Sequence, residues 1–119
     1  MAYAPDLQRL SQEVARDPAS LAFLPLARAY RRQGQREAAL RLCLRGLERH
    51  PTHVEAHTLL ALLYLEAGDR ERAFDEWATA LRFDPENFDA HRGMGFLCLE
   101  RGEYNAACWH LERAAEQRP

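Results

Sequence analysis

The chain has 119 residues, 47% of them hydrophobic, which is enough for one compact domain with a continuous core. Its net charge is −2, and no dense basic run of the kind used by nucleic-acid arms is present, so nucleic acid is not an expected partner. Ile and Lys are absent, and the abundant Arg, Ala, Leu and Glu are strong helix formers, so the expected fold class is all-α.

Charge is unevenly spread. Residues 1–50 carry nine arginines against five acids, a balance of +4, and residues 51–119 carry seven against thirteen, a balance of −6. The three cysteines, Cys43, Cys98 and Cys108, are odd in number and lack paired spacing. That fits a reducing compartment and argues against a disulfide framework. Residues 1–20 contain Asp6, Glu13 and Asp17 and no apolar core of a signal peptide, and no stretch has the length of a membrane span. A cytoplasmic setting and no membrane partner are expected.

Taken in chain order, residues 6–16 form a short helix with Leu7, Leu10 and Val14 on one face, ending before Pro18. Longer helices are predicted over 20–33, 36–49, 53–67, 70–83, 87–101 and 104–117. Thr52 with Glu55 three residues on has the form of a capping box for the third of these. Asp69 and Asn87 stand where N-caps of the next helices belong.

A shift of 34 residues lays the chain on itself. Pro51, Pro85 and Pro119 coincide, as do Gly34, Gly68 and Gly102, and Ala39, Ala73 and Ala107. Tyr30 and Tyr64 align with Cys98, Leu26 and Leu60 with Met94, and Ala27 and Ala61 with Gly95. Each column has a physical reason. Proline cannot continue a helix and disfavours helical geometry before it. Glycine closes a helix in the left-handed conformation. The two columns of small residues lie mid-helix and let antiparallel helices approach to roughly 8–10 Å. The unit is therefore helix, glycine turn, helix, proline turn.

A small residue, then Tyr, then Gly, then Ala, then Pro in a 34-residue helix–turn–helix resembles the tetratricopeptide repeat (TPR), over residues 20–119. The resemblance implies a right-handed superhelical array of antiparallel helix pairs, a TPR solenoid, of about three repeats plus an N-terminal half-repeat helix. The chain is then a single domain, 1–119, with the N-terminal helix in 1–19 and repeats over 20–53, 54–87 and 88–119. Two departures are visible. The aromatic near the start of the first helix is Phe23 in one copy but His57 and His91 in the others. The Tyr after the turn is present only as Tyr104, with Arg36 and Arg70 elsewhere. Both suggest slightly looser, more polar starts to helices 53–67 and 87–101. The chain ends at Pro119 without a polar capping helix, so a continuation of the array or a contact through the last helix is expected.

The resemblance also implies that the first helix of each repeat lines a concave groove. The partner-binding residues expected there are Arg28, Arg31 and Arg32 in the first copy, Leu62, Leu65 and Glu66 in the second, and Arg92, Phe96 and Leu99 in the third. Periodicity agrees with this independently. Helix 53–67 carries leucines nearly all round, more than two neighbours can cover. The competing reading is that Leu62, Leu65 and Phe96 are inter-repeat core and the arginines a plain solvated face. The carboxylate clamp of chaperone-binding members is absent, since its positions hold Leu24, Arg28, Leu59, Asp89 and Gly93. Trp109 aligns with the polar Arg41 and Asp75, which puts it on the outer face of the last helix and marks it, with Leu111, as a candidate self-association patch. His50, His53 and His57 are close in sequence but lack thiolate or carboxylate partners at zinc spacing, and His57 and His91 share a repeat position, so packing is expected over metal. No nucleophile–base–acid constellation or phosphate loop is present. The expected function is a non-enzymatic, cofactor-free scaffold that binds a peptide or helix of another protein. The alternative is an assembly unit, possible as a homodimer through the C-terminal helix.

Overall fold

The computed structural model describes residues 7–118. Among them are seven helices and no strand: α1 (Leu7–Arg16), α2 (Phe23–Arg32), α3 (Arg36–Arg49), α4 (Val54–Glu66), α5 (Arg70–Phe83), α6 (Phe88–Glu100) and α7 (Tyr104–Gln117). Asp6, where the first helix was expected to start, and Pro119 lie outside the described residues. The helices pair as α2/α3, α4/α5 and α6/α7, each pair packs on the next, and α1 packs on α2. The array measures 47 × 28 × 28 Å.

Helix ends follow from the residue types. Gly34, Gly68 and Gly102 have φ of 79°, 85° and 77°, the left-handed turn that closes the first helix of each pair. Asp69 and Asn87 cap α5 and α6 by accepting the N–H groups of Arg72 and Ala90. The expected box at Thr52 is not formed. His53 caps α4 instead, its Nδ1 accepting the N–H of Ala56 at 3.2 Å. The first long helix starts at Phe23, three residues later than expected, because Ser20 accepts the N–H of Ala22 and donates to Glu13, holding the chain in a turn against α1. Pro25 then falls in the first helical turn, where its missing N–H leaves no bond unmade.

The core is continuous along the array. One cluster joins α2, α3 and α4 through Phe23, Leu26, Leu42, Cys43, Leu60 and Leu63, and Leu7, Leu10 and Val14 of α1 cover it. A second joins α4, α5 and α6 through Ala61, Trp77, Met94 and Leu97. Tyr64 packs against both, bridging the pairs. The small columns are buried, Ala27, Ala39, Ala61 and Ala73 completely, and a methyl group at Gly95 would come within 2.8 Å of Leu111. Burial also pushes the Cys43 thiol up to about 12, which keeps it protonated and inert.

The two departures from the family pattern tighten the array where looser starts were expected. His57 and His91 are buried, and each directs Nε2 at the carbonyl six residues earlier, Pro51 and Pro85, at 2.8 Å. The histidine thus ties the proline turn to the helix after it, which the phenylalanine of the first copy cannot do. Arg36 and Arg70 both reach the end of the next pair's first helix, Arg36 donating to the Glu66 carbonyl and Arg70 to the Glu100 carboxylate.

Candidate partner-binding groove

Helices α2, α4 and α6 present one face each to an open groove enclosing about 580 Å³. Seven of the nine residues expected to bind a partner line it: Arg28, Arg31 and Arg32 from α2, Leu62 and Leu65 from α4, Arg92 and Phe96 from α6. Leu99 stands one turn beyond Phe96 and is half exposed, and Glu66 meets the groove through its ion pair with Arg31. Phe96 is 46% and Leu99 50% exposed. Leu62 is half-buried, and Leu65 is half-buried against the second core cluster. The apolar stripe is therefore neither plain core nor plain surface. Its inner edge is packed and its outer edge is open.

The charges are more organised than a basic end facing an acidic end. Arg28 bonds Glu55 at 2.8 Å, and Arg31 grips Glu66 with Nε at 3.0 and 3.1 Å from the two carboxylate oxygens. The Glu66 hydrogen bond holds the Arg31 guanidinium above its ordinary pKa. Arg92 pairs with Asp89 at 3.6 Å and stacks on the Phe88 ring. Arg32 is exposed and has no ion-pair partner among the described residues. Exposed pairs of this kind contribute only about 0–1 kcal/mol each, so a ligand can displace them. Of the three α2 arginines expected to bind a partner, two are engaged in ion pairs.

One floor residue, Trp77, was not expected. Leu59 and Trp77 close the groove from below, both buried. Trp77 reaches the floor because the residue facing it is Gly93, where even a methyl group would fall inside the indole. One repeat earlier the same positions hold Cys43 and Leu59, so large and small have changed places. That exchange is visible in the aligned copies and was the signal for Trp77.

The remaining sequence candidates lie elsewhere. Trp109 is 50% exposed on α7, with edge contacts to the His91 and His110 rings at 5.5 and 5.0 Å and the Arg113 guanidinium over its face. Leu111 is partly exposed, and its side chain packs toward Gly95. His50, His53 and His57 do not converge. His50 bonds the Ala19 carbonyl, His53 caps α4, and His57 uses both ring nitrogens, on Pro51 and on Glu76.

The description "Tetratricopeptide repeat" fits two overlapping stretches of the sequence, residues 24–87 and 59–119, together most of the chain. The chain belongs to the tetratricopeptide repeat family. Members of this family serve in general as non-enzymatic scaffolds for contacts between proteins. Among solved structures this TPR array is similar to MamA, at a TM-score of 0.84 and 21% identity, over 92% of this chain and 65% of MamA. A second MamA structure matches at 0.80 and 21%, over 92% and 61%. MamA residues 41 to the end from Desulfovibrio magneticus RS-1 match at 0.78 and 22%, over 93% and 66%. The chain thus spans about two thirds of the length of these relatives, and at such identity the likeness concerns the fold. No curated protein sequence matches.

Proposed function

We propose that the chain is a non-catalytic interaction module that holds a peptide or helix of another protein in the groove of α2, α4 and α6. The observation that carries this reading is the open outer edge of the apolar stripe, Phe96 and Leu99, continuous with half-buried Leu62 and Leu65. Large apolar side chains exposed side by side in a concavity are what a partner's side chains cover. The displaceable Arg28–Glu55 and Arg31–Glu66 pairs supply polar contacts at the rim. A cytoplasmic setting belongs to the same proposal, supported by three free cysteines. No described helix is long and apolar enough to cross a membrane.

The test is the double variant Leu62→Asp with Phe96→Asp. It should lose the partners that the wild type retains in a pull-down while keeping its helical circular dichroism, because a charge on an open face stays hydrated. Loss of the helical signal would place the two side chains in the core, since an unpaired buried charge costs several kcal/mol.

A second reading rests on α7, where Trp109, Leu111 and Tyr104 are each exposed. Two copies meeting there would form a homodimer, and Trp109→Glu should shift it to monomer in sedimentation. A wild type that is monomeric at high concentration removes this reading.

A further inference from the structure

The face of α2 opposite the groove carries a second concavity, of about 470 Å³, between α1 and α3. Its floor is apolar, with Val14, Phe23 and Leu42, and its rim is a ridge of Arg41, Arg45 and Arg49. The three arginines stand at i, i+4 and i+8, on one stripe of α3, and all are exposed. None makes an ion pair among the described residues. Like charges one turn apart destabilise a helix, and the carboxylate that lines the cleft, Glu48, forms no ion pair with them.

The equivalent place in the other pairs is closed by polar contacts. His57 and Glu76 stand there in α4/α5, and His91 and His110 in α6/α7, each bonded to the other. In α2/α3 the same two positions hold Phe23 and Leu42, with the Phe23 ring seated on Gly46. The ridge is likewise peculiar to this pair. Its equivalents are Asp75, Thr79 and Phe83, and then Trp109, Arg113 and Gln117. A recessed apolar floor under an unpaired basic ridge is therefore a feature of the first pair alone among the described residues.

We infer that the cleft between α1 and α3 is a second docking surface, which takes an acidic segment of a partner protein. One large apolar side chain of that segment enters the mouth of the cleft beside Val14 and Ala15, and carboxylates one turn apart meet Arg41, Arg45 and Arg49. Charge and shape complementarity select this occupant. Guanidinium groups at helical spacing match carboxylates at the same spacing, and Arg pairs a carboxylate in two parallel bonds. Nucleic acid fits less well, because Phe23 is buried and offers no base a stacking surface, and three cations are few for a phosphate backbone. A bilayer fits less well, because the apolar residues are recessed below the ridge and Glu48 stands on it.

Fluorescence anisotropy tests this with a labelled dodecapeptide carrying one phenylalanine followed by glutamates at four-residue spacing. The wild type should bind it, and affinity should fall as salt rises. Arg41→Glu with Arg45→Glu should weaken binding at least about tenfold with unchanged helicity. Ala15→Trp, which plugs the cleft from its exposed α1 wall, should do the same without altering the ridge. The groove variant Leu62→Asp/Phe96→Asp should bind the peptide as the wild type does, so this surface and the groove stand or fall separately. The inference is overturned by equal affinity in the ridge or plug variant, by no measurable binding in the wild type, or by tighter binding to phosphatidylserine vesicles or a single-stranded oligonucleotide than to the peptide.

Discussion

In the second helical pair the buried histidine His57 faces a carboxylate, whereas at the same point of the third pair His91 faces another histidine. The backbone contact is common to both, Nε2 to the carbonyl of Pro51 or Pro85. The other nitrogen differs. His57 Nδ1 lies 2.8 Å from Glu76, so both ring nitrogens point at acceptors, an arrangement that favours the imidazolium. The Glu76 hydrogen bond raises its pKa, against the opposing pull of burial. In the third pair the two Nδ1 atoms lie 3.1 Å apart, so one ring donates to the other and no acceptor-only group faces His91 there. Burial, and then the charge of His91, lower the pKa of His110. The repeat fixes where the histidine sits, and one residue of the next helix decides which charge that place tolerates. The two junctions between pairs differ in packing as well, with Cys43 and Leu59 between the first and second pairs exchanged for Trp77 and Gly93 between the second and third.

The largest expected effect breaks the packing half of this comparison. Trp77→Cys should cost about 3–5 kcal/mol through the cavity it leaves. Gly93→Leu should cost about 1–3 kcal/mol, because a side chain there meets the indole. Together they rebuild the Cys43/Leu59 arrangement, so the double variant should be more stable than the sum of its parts by urea denaturation. Strict additivity would show that the two residues do not share one space.

Smaller effects test the charge half through pH. The raised pKa of His57 gives stability that is complete below the ordinary value of 6.5 and is lost as pH rises through the folded value. His110 works the other way, since its lowered pKa leaves stability intact above 6.5 and withdraws it as pH falls toward the folded value. Glu76→Gln should therefore cost about 1–3 kcal/mol at pH 6, the range of a hydrogen bond between charged groups, and less at pH 8. His110→Glu should rebuild the second pair's arrangement in the third, adding stability as pH falls toward 6.5 and removing the loss that the wild type suffers below it. Denaturation midpoints across this range read both, and an unchanged pH slope in His110→Glu would show that the neighbour does not set the charge.

The architecture was legible in the sequence because each punctuating residue has one physical use. Glycine at 34, 68 and 102 takes a positive φ in every copy, and the prolines stand between the pairs. The α4 cap was misread because Thr52 has the stronger general preference, while the turn geometry brings His53 to the Ala56 N–H. In the groove, Leu62, Leu65, Phe96 and the arginines followed from helical periodicity and the family pattern. The ion pairs did not, because Arg28 and Glu55 are 27 residues apart, Arg31 and Glu66 are 35 apart, and neither spacing is the repeat period. Trp77 was hidden for a different reason. Its place on the floor depends on the absence of a side chain at Gly93, and reading helices one at a time does not weigh what is missing from the facing one.

The central claim is that a partner lies in the groove, and hydroxyl-radical footprinting of the chain with a protein it captures tests that most directly. Side chains covered by a ligand lose labelling, whichever residues supply the affinity. Phe96, Leu99 and Leu62 should be protected in the complex, while Trp109 and Tyr104, exposed on α7, keep the labelling of the free chain. Protection of Trp109 and Tyr104 with Phe96 and Leu99 unchanged would contradict the account.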